Sequence, residues 1–241
     1  MTFRYLVLVC ASVAAAPAAT ISFTFVGEVN NSSVRRSLDS GATYTNQSVG
    51  QMSITVTGST GIYGSLPASF YTFCIEPQEG VSAGTSYTYT VKTLESSPSN
   101  VAGGMGSVKA DLLRELYAQY YPDPTVSLSV VNASALQLAT WEIVRETTGA
   151  YNVSSGSVRF QDATTPNPNF ASIISTANAM LAAITPVGGV KLTNLWAISF
   201  VGNQDLAFNA RTATIAPEPG TVGLAAVGLL VAWRQRRRIQ W

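Results

Sequence analysis

The chemistry open to this 241-residue chain is limited by the residue types that it lacks. It contains no His and only two Cys, Cys10 and Cys74. The absence of His excludes Ser-His-Asp and Cys-His catalysis as well as His-ligated zinc. Two cysteines cannot build a cysteine-rich metal site or a disulfide framework. We therefore expect no metal and no cofactor, and Cys74 is the side chain with the most distinctive chemistry.

Cys74 closes an aromatic segment that reads Phe-Tyr-Thr-Phe-Cys-Ile-Glu-Pro. An unpaired thiol has three possible states. It is a buried small apolar group, an exposed thiol that oxidises or pairs between chains, or a sulfur masked in another covalent bond. The segment by itself does not choose among them.

Gln137 is the second unusual side chain, because it shares one helical face with apolar neighbours. In the predicted helix over residues 134–146, Gln137, Trp141 and Val144 are spaced at i, i+4 and i+7. An amide on such a face requires a reason. One interpretation is a capping box, in which Gln137 accepts from the backbone N–H of Ser134 at the helix start.

The two segments together resemble the Cys–Gln thioester domains of bacterial surface proteins. The resemblance rests on Phe-Cys-Ile-x-Pro at residues 73–77 and Leu-Gln-x-Ala-x-Trp at residues 136–141. It implies that the Cys74 sulfur and the Gln137 side-chain carbonyl form an internal thioester with loss of ammonia. An amine or hydroxyl of a surface polysaccharide or protein would then capture the acyl group.

The physical requirements of such a bond predict supporting roles. Trp141 and Phe73 would keep water away from the thioester. Backbone N–H groups at the start of the second helix would stabilise the developing oxyanion. Because the acyl donor is consumed, such a protein is not a turnover enzyme.

Two other functions remain open. The first is a non-covalent structural component of the extracellular matrix that has a thioester-type fold with inert Cys74 and Gln137. The second is a hydrolase with Glu76 and Glu142 as paired acids, as in glycosidases. The missing His and the lack of a nucleophile motif disfavour the hydrolase, and we expect both glutamates to be solvated.

The elements that must position these residues follow from hydrophobic periodicity. Alternation predicts strands around residues 21–25, 52–56, 71–75 and 87–91, with a polar loop over residues 30–46. Three helices are predicted over residues 108–120, 134–146 and from 167–168 to about 184, before strands return at residues 192–200 and 206–215. Val108 is expected on the apolar face of the first helix. The fold class is α+β, with an antiparallel barrel-like sheet and an inserted three-helix part.

Both ends of the chain resemble targeting signals. Residues 1–18 combine Arg4, an apolar run and Ala-Pro-Ala, as a secretory signal peptide does. Residues 19–216 form the body. Residues 217–241 contain Pro-Glu-Pro, a short apolar segment at 221–233 predicted as a membrane helix, and clustered arginines: Pro217, Glu218, Pro219, Arg234, Arg236, Arg237 and Arg238.

This tail resembles the PEP-CTERM sorting signal of Gram-negative bacteria that produce exopolysaccharide. The resemblance implies processing by an exosortase, after transient anchoring of the chain in the inner membrane. The alternative is an uncleaved tail anchor. The body carries nine basic and twelve acidic residues, so nucleic-acid binding is not expected. The expected location is the cell surface or the extracellular matrix.

Overall fold

The computed structural model describes residues 18–147, 149–185, 188–211 and 213–215. Its strands are β1 (Thr20–Ser37), β2 (Thr45–Thr60), β3 (Ile62–Tyr63), β4 (Ser69–Cys74), β5 (Ser86–Lys92), β6 (Arg159–Asp162), β7 (Leu195–Phe200), β8 (Asn203–Asn209) and β9 (Thr214–Ile215). Its helices are α1 (Gly106–Tyr120), α2 (Val130–Arg145) and α3 (Phe170–Ala183), with a 3-10 turn at Leu94–Ser96.

Six of the strands form a closed antiparallel barrel. The order is β2-β4-β8-β7-β5-β1, and β1 also pairs with β2, which closes the ring. β6 pairs with the second half of β1, and β3 and β9 form a separate pair. All three helices lie between β5 and β7 in the chain. The predicted barrel with an inserted three-helix part is confirmed, in a molecule that is mostly β.

The barrel strands form where apolar and hydroxyl residues alternate. Ile21, Phe23 and Phe25 are buried in the core. The intervening hydroxyls face outward and pair across strands, as Ser22 Oγ does with Thr88 Oγ1 at 2.8 Å. Such outward hydroxyl pairs satisfy the polar face while the apolar face is buried.

The predicted polar loop over residues 30–46 is wrong. β1 continues to Ser37 and β2 begins at Thr45, so only the short connection between them is a turn. Val34 and Arg36 are buried while Ser33 is exposed, which is a strand alternation carried by mostly polar residues. The pairing of β1 with β2 continues here because main-chain groups make its hydrogen bonds. A register shift after Val29 interrupts the alternation of buried and exposed side chains, so the sequence pattern does not show the strand.

The helices differ from prediction in three respects. α3 begins at Phe170 with Asn169 as its N-cap residue, after the predicted start at residues 167–168. Val108 is 65% exposed and does not belong to the buried face of α1. α2 begins at Val130, one turn before the predicted start, with the Ser129 side chain accepting from the Asn132 backbone N–H at 3.3 Å. α2 is buried throughout residues 133–144 and packs against β1, β2, β4, α1 and α3. This central helix therefore positions Gln137 against the barrel.

The predicted signal peptide, apart from Ala18, and the predicted sorting segment with its membrane helix lie outside the described residues. Within the residues that the structure does describe, no helix is both long and apolar enough to cross a membrane.

Candidate functional site

The edge of β4 is open to α2 where the strand reaches Cys74. The pairing of β4 with β2 ends at the Met52–Thr72 pair. The Ala68 carbonyl accepts from β2, and alternate residues direct their main-chain groups to the same side. The N–H and C=O of Cys74 thus point to the side where β2 no longer provides a partner.

The Gln137 amide occupies this position. Its Oε1 accepts from the Cys74 N–H at 3.0 Å, and its Nε2 donates to the Cys74 carbonyl at 2.7 Å. Gln137 is only 2% exposed. The structure thereby brings together two residues that are 63 positions apart in the chain. The two bonds place the amide carbon beside the main chain from which the Cys74 sulfur projects.

The capping-box interpretation of Gln137 is wrong. Gln137 lies two turns inside α2, and Ser134 donates its hydroxyl to the Val49 carbonyl at 2.9 Å. Ser129 is the N-cap residue instead. The same shift removes the predicted oxyanion donors, because the free N–H groups of α2 lie in its first turn around Val130 and not at Gln137.

The Cys74 sulfur is enclosed by polar donors within an apolar surrounding. Cys74 is 2% exposed, and the Glu76 backbone N–H donates to its Sγ at 3.2 Å. Burial raises the pKa of the Cys74 thiol well above its usual value, although the side chains of Trp141 and Gln204 act in the opposite direction. The thiol is therefore protonated at neutral pH and needs a base in order to react.

Trp141 covers the sulfur from α2. It is 1% exposed, and its ring stacks on Phe160 with centroids 6.3 Å apart. The guanidinium of Arg36, a residue of β1, lies 5.8 Å from the centroid of the Trp141 ring. The indole Nε1 makes no hydrogen bond of standard geometry among the described residues, yet it is close enough to the sulfur to favour the thiolate. These contacts agree with a water-excluding position.

Phe73 lies on the opposite face of β4 from the sulfur, because neighbouring strand residues alternate. It is fully buried and meets Tyr117 and Tyr121 edge to face, with centroids 6.0 and 5.2 Å away. Its predicted shielding role stays a prediction. The structure gives it a place in the packing between β4 and α1.

Glu76 and Glu142 are not solvated, contrary to expectation. Both are fully buried, and burial raises their pKa values to about 7 for Glu76 and about 8 for Glu142. Sequence reasoning missed Glu76 as a member of the Cys74 site. β4 ends at Cys74 and the chain bends at Ile75, so no local spacing identifies Glu76; its burial depends on distant residues such as Asp205.

A small cleft opens beside the Arg36 side of the site. It has a volume of about 330 Å³ and is lined by Arg36, Leu38, Asp39, Thr43, Thr45 and Gln78. Arg36 also donates to the Pro77 carbonyl, three residues beyond Cys74. A larger polar cleft of about 620 Å³ contains none of the predicted thioester residues. In the described ranges, no group of three or more His, Cys, Asp or Glu side chains is arranged to hold a metal ion.

Comparison with protein families supports the interpretation of the tail. Residues 216–238 match the PEP-CTERM protein-sorting motif. The matched span includes the Pro-Glu-Pro and the arginines on which the resemblance was based. No curated protein and no solved structure matches the chain. The motif marks this chain as an exported protein that is sorted by an exosortase and ends on the cell surface.

Proposed function

We propose that the body of this exported protein attaches covalently to a surface target through an internal thioester between Cys74 Sγ and Gln137 Cδ. The observation that carries the proposal is the pair of hydrogen bonds between the Gln137 amide and the Cys74 main chain. They hold an acyl donor beside a buried thiol, and proximity of this kind replaces a bimolecular encounter.

The reaction needs no cofactor. The Cys74 sulfur attacks Gln137 Cδ, the S–C bond forms, the C–N bond breaks, and the amide nitrogen leaves as ammonia with the thiol proton. A target amine or hydroxyl later attacks the same carbon and releases the Cys74 thiol. Each molecule acts once, since the acyl group stays on the target.

Burial supports the lifetime that such a bond requires. Cys74, Gln137 and Trp141 are each at most 2% exposed, so bulk water does not reach the reacting carbon. The cleft lined by Arg36, Thr45 and Gln78 adjoins the site through Arg36, whose guanidinium lies over the Trp141 ring, and it is a candidate entrance for a target nucleophile. Asp39 at its rim is held ionised by hydrogen bonds from Ser37 and Thr43, which bring its pKa to about 2.

The experiment is addition of methylamine to the purified body, residues 19–216, followed by intact mass and peptide mapping. Wild-type protein should gain one methylamine at Gln137 and release Cys74 for alkylation. Cys74→Ser and Gln137→Glu should both fail to react, because they remove the sulfur and the amide leaving group. Gln137→Glu is the closer control, since its Oε1 still accepts from the Cys74 N–H. Equal addition to all three proteins would refute the proposal.

A second candidate is a non-covalent component of the extracellular matrix. The observation that favours it is the burial of Cys74, which is 2% exposed; burial raises the pKa of its thiol and opposes nucleophilic attack unless a base acts. The Gln137 amide would then serve only to complete the open edge of β4. The methylamine experiment separates the two, because this candidate predicts a fully unmodified mass and no addition.

A further inference from the structure

Glu76 follows Cys74 by two residues, just beyond the end of β4. The main chain bends at Ile75, whose N–H still donates to the Asp205 carbonyl at 2.9 Å. Glu76 turns its backbone N–H to the Cys74 sulfur at 3.2 Å and is fully buried. Its carboxyl is near enough to the sulfur for its negative charge to oppose ionisation of the thiol.

The two carboxyl oxygens of Glu76 differ. Oε2 accepts from the Asp205 backbone N–H at 3.2 Å. Oε1 is buried and makes no hydrogen bond of standard geometry in the described part of the chain, although the Asn100 backbone N–H is close enough to the carboxyl to favour its ionised form. A buried carboxyl oxygen without a well-formed hydrogen bond is costly, which suggests a functional reason for it. A weakly engaged carboxyl oxygen within electrostatic reach of a buried thiol is a group that can accept the thiol proton.

We propose that Glu76 is the proton-transfer residue of the Cys74–Gln137 pair, an assignment that rests on the proposed thioester. Its carboxylate takes the thiol proton as sulfur attacks Gln137 Cδ. It then gives that proton to the departing amide nitrogen, which leaves as ammonia. When a target amine attacks, Glu76 takes one amine proton and returns it to the Cys74 sulfur. Glu76 is therefore a carboxylate again after thioester formation and again after its aminolysis.

The other carboxyls nearby are less suited to this role. Asp205 already accepts from the Ser99 N–H at 2.7 Å and from the Phe200 N–H at 3.3 Å. Glu142 resembles Glu76 in that Oε1 accepts from the Asn152 N–H and Oε2 is buried without a partner in the described part of the chain, but of these two carboxyls Glu76 is the one whose charge acts on the Cys74 thiol. Glu76 is also the carboxyl whose pKa, about 7, suits both taking and returning a proton near neutral pH.

The charged groups around Glu76 set its titration. Asp205 on β8 and Glu79 in the loop after β4 raise its pKa, in addition to burial. Arg145 on α2 faces it with the opposite charge, and Tyr89 on β5 lies within electrostatic reach. The carboxylate needed to start the reaction is therefore formed as pH rises through about 7.

The test compares rates of methylamine addition by wild-type protein and Glu76→Gln across a pH range that brackets neutrality. The ratio of the two rates cancels the titration of the amine itself. We expect Glu76→Gln to be slower by about 10²-fold where wild-type Glu76 is ionised. The ratio should fall as pH drops below about 7. Glu76→Asp should restore part of the rate, which a merely structural role would not require.

Glu79→Gln is the matched control, because it removes the same charge from the same loop. It should keep the wild-type rate and move the profile slightly to lower pH, since Glu79 raises the Glu76 pKa. If Glu76→Gln does not fold, the pH profile of methylamine addition by Asp205→Asn provides the measurement. This profile should also move to lower pH, since the Asp205 charge raises the Glu76 pKa. An unchanged rate and profile in Glu76→Gln, or an unshifted profile in Asp205→Asn, would overturn the assignment. Wild-type protein that never loses ammonia would instead refute the thioester itself.

Discussion

At the scale of single residues, two buried glutamates govern how the stability of the molecule depends on pH. The native pKa values of Glu76 and Glu142 are about 7 and about 8, against an ordinary value of 4.5. Both groups bind a proton more tightly in the folded state than in the unfolded state. The stability they contribute is fully present below 4.5 and is lost as pH rises through these native values.

We predict that the free energy of unfolding falls by a few kcal/mol between about pH 5 and pH 8. Urea denaturation at several pH values measures it. Glu142→Gln should flatten the upper part of the curve, because Gln cannot ionise. A stability that rises over this interval would contradict the buried, neutral state of these two side chains.

Trp141 is the residue whose loss should separate formation of the thioester from its protection. Trp141→Ala removes a ring that is 1% exposed and should cost about 3–5 kcal/mol of stability. The thioester should still form but hydrolyse faster, since water gains access to the acyl carbon. Trp141→Phe keeps an aromatic cover and should hydrolyse at a rate closer to wild type. Intact mass spectrometry over time measures the rate of hydrolysis. Equal rates in wild-type protein and both variants would contradict the shielding role.

At the scale of elements, the loop after α2 is fixed by one carboxylate. The Glu146 side chain accepts from the backbone N–H groups of Thr147, Ser157 and Val158 and from the Ser157 hydroxyl. Gly156 passes directly over this carboxylate with a φ of +88°, and a Cβ there would lie 2.2 Å from Glu146 Oε2. The loop thus depends on a glycine both for its backbone conformation and for space.

Gly156→Ala should therefore destabilise the fold more than Gly149→Ala. Gly149 also has a positive φ, of +79°, but nothing lies within 4 Å of its would-be Cβ. We expect about 1–2 kcal/mol for Gly149→Ala from backbone strain alone. Gly156→Ala should cost at least twice as much in thermal or urea unfolding. Equal losses would show that the Glu146 contact does not hold the loop.

Strands were predictable from the sequence where apolar and polar side chains alternate. They were missed where main-chain hydrogen bonds maintain a strand of mostly polar residues. Ile21, Phe23 and Phe25 alternate with hydroxyl residues, so β1 was predictable at its start. Its second half has few apolar residues and irregular register, so residues 30–37 carried no readable signal. The start of α2 was missed because Val130 and Val131 are weak helix formers, and tertiary packing determines the boundary.

The site itself was predictable only in part. The pairing of Cys74 with Gln137 came from the resemblance, and the structure places the Gln137 amide on the Cys74 main chain. The burial of Glu76 depends on β8, which contributes Asp205 from far along the chain. Long-range pairing of this kind leaves no local pattern in the sequence.

At the scale of the whole molecule, the sorting motif and the proposed attachment site lie in different parts of the chain. Residues 216–238 match the PEP-CTERM protein-sorting motif, whereas the proposed thioester lies in the barrel and α2. We predict that protein matured in a host with an exosortase lacks residues 221–233. Mass spectrometry of cell-surface protein measures this. Glu218→Ala should leave the tail attached, and full-length wild-type protein at the surface would indicate an uncleaved anchor.

The most direct test of the thioester is the intact mass of the purified body before any nucleophile is added. Loss of ammonia lowers the mass by about 17 Da, and the account predicts this deficit together with a Cys74 that resists alkylation under denaturing conditions at mildly acidic pH. Cys74→Ala should show its full calculated mass under the same conditions. A wild-type body with no mass deficit and a fully alkylated Cys74 would contradict the covalent account.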